Sequence, residues 1–164
     1  RFAHYRQTRP GGQTAHHYID AAWNQAALSR DHVMVASDAM PLMNYDRKVV
    51  PNGAGTSSRV LGPYVREQNW LTLSDAIARL SLLPARRMAQ FAPAFARKGR
   101  IQVGADADLV IFDPKTVAAR ATYLEPFLTP AGIHSVVVAG RVSVQHGQLL
   151  DSVGAGTQIT SLTP

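Results

Sequence analysis

A chain of 164 residues that is 46% hydrophobic has the length for one domain, or one domain with a small annex, and enough apolar content to exclude an intrinsically disordered segment. The absence of cysteine excludes disulfides and thiolate metal sites, and the longest apolar runs, such as Leu109–Phe112 and Val136–Ala139, are far too short to cross a bilayer, so no membrane partner is expected. The net charge of +6 raises nucleic-acid binding, yet the basic stretch from Arg79 to Arg100 (Arg79, Arg86, Arg87, Arg97, Lys98, Arg100, with no acid) lacks interleaved aromatics and any helix-turn-helix or RNA-recognition pattern, so it reads as a solvated face and no nucleic-acid partner is expected.

In chain order, residues 1–9 read as the end of a helix broken at Pro10-Gly11-Gly12. Gln13 to Tyr18 suits a short strand, and Ile19 to Ser29 has helical apolar spacing with Asp20 near its start. Val33 to Ala36 then reads as a buried strand, giving the strand–helix–strand order of a parallel sheet. Residues 39–57, with Pro41, Pro51, Gly53 and Gly55, read as a long loop at a substrate entrance. A helix over Arg59–Glu67 is expected to be interrupted at Gly62-Pro63. Thr72 and Asp75 resemble a capping box, opening a helix with an apolar stripe of Leu73, Ile77 and Leu80 that Pro84 interrupts. Beyond about Gly99 the pattern turns to short strands: Leu109–Phe112, Ser135–Ala139, Arg141–Gln145 and Gln148–Leu150, with turns at Ala139-Gly140 and His146-Gly147. The predicted fold class is therefore α/β up to about residue 98 and mostly β over 99–164.

Asp38 is the leading candidate for chemistry. It follows directly on an apolar run, and in parallel α/β folds and barrels the sites gather at the C-terminal ends of strands, where a carboxylate can move a proton or touch a metal. The alternative is a loop aspartate that caps the next turn. His16 and His17 are neighbours and on a strand would point to opposite faces, which argues against a shared metal. His4, His32, His134 and His146 lack HxH or HExxH spacing, and His146 reads as a surface turn residue. No serine sits in a GxSxG elbow, and Gly53-Ala-Gly-Thr56 lacks the spacing and lysine of a phosphate loop.

Five stretches in order, SDAMPL (37–42), GAGTSSRVLGPYVRE (53–67), LTLSDAIARLSLLPARRM (71–88), KGRIQVGADADLVIFDP (98–114) and GIHSVVVAGRVSVQHGQLL (132–150), together resemble the C-terminal part of the amidohydrolase superfamily, in its D-aminoacylase or N-acyl-D-amino-acid deacylase branch. The resemblance implies a metal-dependent (β/α)₈ TIM-type barrel with a small β-domain built from both chain ends. Residues 1–98 would supply the last barrel strands and helices, and residues 99–164 the C-terminal share of the β-domain. It implies hydrolysis of an amide C–N bond, with a small-molecule amide as substrate and Asp38 as the general base and acid at the tip of the eighth strand. It also implies zinc, one or two divalent ions, in the full-length protein.

The expected metal ligands, including the HxH of the first strand, would lie upstream of Arg1 in a missing N-terminal part of the same polypeptide, so no tightly bound zinc and no activity are expected of these residues alone. Cytoplasmic location is the expectation, with any targeting signal upstream. Many deacylases carry His-Pro-Arg before the GT motif, its Arg holding the substrate carboxylate. Here the matching triplet is Val50-Pro51-Asn52, which makes Asn52, Arg47 and Arg59 the candidate substrate-binding residues. The other readings are a cyclic-amide hydrolase branch and a non-catalytic scaffold.

Overall fold

Two of the helices start on side chains that cap them, Asp20 and Thr72. The computed structural model describes residues 2–8, 19–39, 49–150 and 154–159. Helix α1 spans Phe2–Thr8, and α2 spans Ala21–Leu28 with Asp20 as its N-cap, the carboxylate accepting from the Ala22 N–H at 2.7 Å. The expected strand over Gln13–Tyr18, the Pro10-Gly11-Gly12 break and the neighbours His16 and His17 lie outside the described residues.

The expectation of a buried parallel strand over Val33–Ala36 is not met. The segment runs extended but joins no ladder, and Met34 and Ala36 are exposed. A strand is stabilised by the neighbours that accept and donate its backbone hydrogen bonds, and among the described residues none forms a strand beside it. Its backbone is held instead from a helix: the Val35 N–H donates to the Arg79 carbonyl at 3.1 Å.

Of the loop expected over 39–57, the part from Asn52 onward belongs to helix α3, Asn52–Arg59, and residues 40–48 lie outside the described residues. The expected break at Gly62-Pro63 is absent. The chain continues from α3 through wider π-type turns over Val60–Glu67, with the Gln68 N–H reaching the Pro63 carbonyl at 2.9 Å. Packing explains the glycine: a Cβ on Gly62 would lie 2.2 Å from the carbonyl oxygen of Val117, so the helix reaches that backbone only without a side chain there.

Thr72 caps α4, Leu73–Ile77, its hydroxyl oxygen accepting from the Asp75 N–H at 3.1 Å and donating its proton to the Asp75 carboxylate at 2.7 Å. The shorter aspartate thus meets the hydroxyl. The helical path continues through π-type turns over Ala78–Leu82 into α5, Leu83–Met88, so Pro84 does not stop it. Pro84 follows directly on those wider turns, which carry the path past a residue that has no N–H to donate. The buried stripe is Leu73, Ala76 and Leu80. Ile77, expected inside, is 42% exposed, while Ala76 has no exposed surface.

A 3₁₀ turn over Pro93–Arg97 leads to the sheet, whose strands β1 (Leu109–Phe112), β2 (Ile133–Val138), β3 (Arg141–Gln145) and β4 (Gln148–Leu149) lie in sequence order, each antiparallel to the next. Both hairpins have two-residue turns with positive φ at each residue, 49° and 79° at Ala139-Gly140 and 51° and 74° at His146-Gly147. That is the type I′ geometry whose twist matches the strands.

The central core cluster joins both halves of the chain: Val60, Leu61 and Ala76 pack with Val117, which has no exposed surface, and Phe112 and Ile133 pack against them. Arg66 reinforces this junction, donating to the carbonyls of Pro114 at 3.2 Å and Val117 at 2.9 Å. No helix among the described residues is long and apolar enough to cross a membrane.

Candidate functional site

Asp38 ends the extended run, and two neighbours fix the backbone that carries it. At the start of the run, the Arg79 guanidinium donates from one terminal nitrogen to the carbonyls of Arg30 at 2.6 Å and Val33 at 2.7 Å. At the end, the side-chain amide of Asn52 donates to the carbonyls of Ser37 at 2.6 Å and Asp38 at 3.1 Å. The first turn of α3 lies directly against this tip, since a Cβ on Gly53 would be 3.3 Å from that of Ala39.

Asp38 itself is exposed and has φ of 52°, in the left-handed region that aspartate tolerates better than most residues. Such a backbone holds a short acidic side chain at the outer end of a fixed segment. A carboxylate so placed can accept a proton from water and return it to a leaving group.

Arg59 stands seven positions after Asn52 on α3, which puts both on one face about 10 Å apart along the axis. Arg59 is exposed and makes no ion pair among the described residues. Asn52 spends its donors on backbone carbonyls, and Arg47 lies outside the described residues.

Two features escaped the sequence reading. Arg79, read as part of a solvated basic face, is buried, and its Nε has no hydrogen-bond partner among the described residues. The signal was present, because Arg79 follows Ala76 by three positions on the buried side of its helix. His134 and His146 meet edge to face with centroids 4.7 Å apart, and His134 Nδ1 lies 2.7 Å from the Ser135 hydroxyl. The pairing of β2 with β3 brings these two rings together, since Ser135 stands opposite Gln145 and the Gly147 N–H donates to the His134 carbonyl at 3.2 Å.

Two other members of the basic stretch are paired. Arg97 and Lys98 contact Asp106, and Lys98 also bonds to Asp108. The Asp108 bond raises the Lys98 pKa, and the lysine together with the Ala139 N–H, at 2.8 Å, lowers that of Asp108. The Gly140 N–H also donates to the Ala107 carbonyl at 3.0 Å, so the acidic segment ties the 3₁₀ turn to the β2–β3 hairpin. After β1, Asp113 accepts from the Lys115 N–H and the Thr116 hydroxyl, which lowers its pKa and closes the turn leading to Val117.

Among the described residues no group of three or more histidines, aspartates or glutamates is close enough to hold an ion, so these residues do not by themselves fit a catalytic zinc site.

Comparison with known proteins gives concordant matches. The family model described as "Amidohydrolase family" matches residues 2–144. N-acyl-D-glutamate deacylase of Alcaligenes xylosoxydans xylosoxydans is 46% identical over 107 residues, covering 65% of this chain and 20% of that protein. D-aminoacylase of the same organism is 40% identical over 116 residues, covering 71% of this chain and 22% of the relative. Among solved structures, a D-aminoacylase studied for its binuclear metal centre superposes with a TM-score of 0.74 at 35% identity, over 84% of this chain and 27% of that one. N-acyl-D-glutamate deacylase from Bordetella bronchiseptica, in complex with zinc and a phosphonate mimic of the tetrahedral intermediate, gives 0.68 at 42% identity, over 76% of this chain and 24% of its own. The chain thus spans about a fifth of the length of the curated relatives it matches.

Proposed function

This chain belongs to the amidohydrolase family, and from that premise we infer that it is part of an enzyme hydrolysing the amide bond of N-acyl-D-amino acids, with Asp38 as general base and acid. The observation that carries the reading is the placement of Asp38, an exposed carboxylate on a backbone pinned at both ends of its apolar run. In this role the carboxylate takes a proton from the attacking water as its oxygen adds to the acyl carbon. It then gives that proton to the departing nitrogen as the C–N bond breaks, so the amine leaves neutral.

Residues 1–98 are assigned on this reading to the closing part of a (β/α)₈ barrel and residues 99–164 to a small β-domain, the unpaired run before Asp38 gaining its strand neighbours from the rest of the protein. Zinc is assigned to the whole protein, with a ligand set beyond the residues described here. Arg59, or Arg47, is assigned to the substrate carboxylate, which a guanidinium can meet with paired hydrogen bonds.

The test is amine release by the full-length protein from N-acetyl-D- and N-acetyl-L-amino acids, acidic and neutral. Release from D-substrates alone is the expected result. Hydrolysis of cyclic amides without action on any N-acyl-D-amino acid would overturn the assignment. For the arginine role, Arg59→Met is expected to raise KM for the carboxylate substrate by about tenfold and leave the corresponding neutral amide within about twofold. An equal effect on both would make Arg59 structural.

A further inference from the structure

The left-handed φ of 52° at Asp38 is not one that an extended run adopts unaided, so something must hold the chain there. The side chain of Asn52 touches that very point. Its amide nitrogen carries two hydrogens and lies within hydrogen-bond distance of two successive carbonyls, 2.6 Å from Ser37 O and 3.1 Å from Asp38 O. These carbonyls flank the α-carbon of Asp38, one before it and one after it. The Ser37 hydroxyl adds a local bond, accepting from the Ala39 N–H at 3.3 Å. Asn52 is the first residue of α3, and that helix continues directly into the wider turns carrying the buried Val60 and Leu61, so the amide is anchored to the core.

We propose that Asn52 is a positioning residue for Asp38: its side-chain amide bridges the carbonyls on either side of the Asp38 α-carbon and thereby sets where the carboxylate points. This rests on the reading of Asp38 as general base and acid. It differs from a role in substrate binding, because the donors of Asn52 are engaged by backbone oxygens and are not free for a substrate carboxylate.

The experiment is a double-mutant cycle in the full-length enzyme on an N-acetyl-D-amino acid that it hydrolyses, joined to hydrogen exchange over residues 37–39. Asn52→Ala is expected to lower kcat by about 10- to 100-fold with KM within about twofold, as for a misplaced catalytic group. The same change made in Asp38→Asn is expected to cost nothing further, because the group that it positions has already been lost. Exchange at residues 37–39 is expected to quicken at least tenfold on the order expected for a lost local constraint. Asn52→Asp keeps the size and removes the donors, so it should match Asn52→Ala and serves where the alanine variant does not fold. Equal losses in both backgrounds, or a raised KM with unchanged kcat, would overturn the proposal, as would unaltered exchange. Should Asp38→Asn alone retain full turnover, the reading of Asp38 fails, and the exchange measurement still decides whether Asn52 holds the segment.

Discussion

Arg79 is a charged side chain placed where charge is costly. It is 7% exposed, and its bonds run to the carbonyls of Arg30 and Val33. Removing it frees a buried guanidinium from its desolvation cost but strands those carbonyls, each of which loses a charge-assisted donor. The second effect should win, because both carbonyls receive their bonds from one terminal nitrogen of the same buried side chain and lose them together. Arg79→Met is expected to destabilise by about 1–3 kcal/mol, read by denaturant unfolding of the full-length protein. Asp38 and Arg79 show how far single residues were legible. Asp38 stood out because it follows an apolar run, whereas its left-handed backbone depends on Asn52, fourteen positions away, which no local pattern reveals. Arg79 was misread because a run of basic residues suggests solvent, while its helical phase with Ala76 pointed inward.

Among the elements, the hairpins were the most legible and the helix continuities the least. Alternating apolar residues around Ala139-Gly140 and His146-Gly147 specify their own pairing, since the turn and both strands lie within a few residues. Proline and glycine in the helices looked like breaks because their local cost is real. Here π-type turns carry the chain past Pro63, and Gly62 is required by the carbonyl of Val117, a contact across more than fifty residues. Gly62→Ala is accordingly expected to destabilise by about 1–3 kcal/mol as an overpacked contact with rigid backbone, despite the better helix propensity of alanine. The opposite sign is expected at Ala139, which has φ of 49° with only its backbone N–H bound to Asp108. Ala139→Asn keeps that bond and suits the type I′ turn, so a gain of about 0.5–1 kcal/mol is expected in the same unfolding assay.

At the scale of the whole molecule, charge and apolar surface give separate expectations. Asp108, with its pKa lowered chiefly by the Lys98 bond, lends stability above the ordinary carboxylate value of 3.8 and loses it as pH falls through the folded-state value below that. Lys98, with its pKa raised chiefly by the Asp108 bond, lends stability below 10.5 and loses it as pH rises through its higher folded-state value. Asp108→Asn keeps an acceptor for Ala139, so its deficit, about 0.2–1 kcal/mol for a partly exposed pair, is expected between those limits and should vanish beyond them. The described residues also expose Trp23, Phe91, Ile101, Leu124 and Leu149, and the run before Asp38 has no strand neighbour among them. Such a chain is expected to self-associate in sedimentation experiments, and a monodisperse, cooperatively melting monomer would contradict the assignment of its exposed faces to contacts with the rest of a barrel.

The central claim is that Asp38 carries the proton in amide hydrolysis, and turnover of an N-acetyl-D-amino acid by full-length Asp38→Asn, with metal content measured on the same sample, tests it most directly. The expected result is a kcat lowered by about 10²–10⁴ with metal content close to that of the unsubstituted enzyme. Turnover near the unsubstituted level in a folded, metal-loaded Asp38→Asn protein would contradict it.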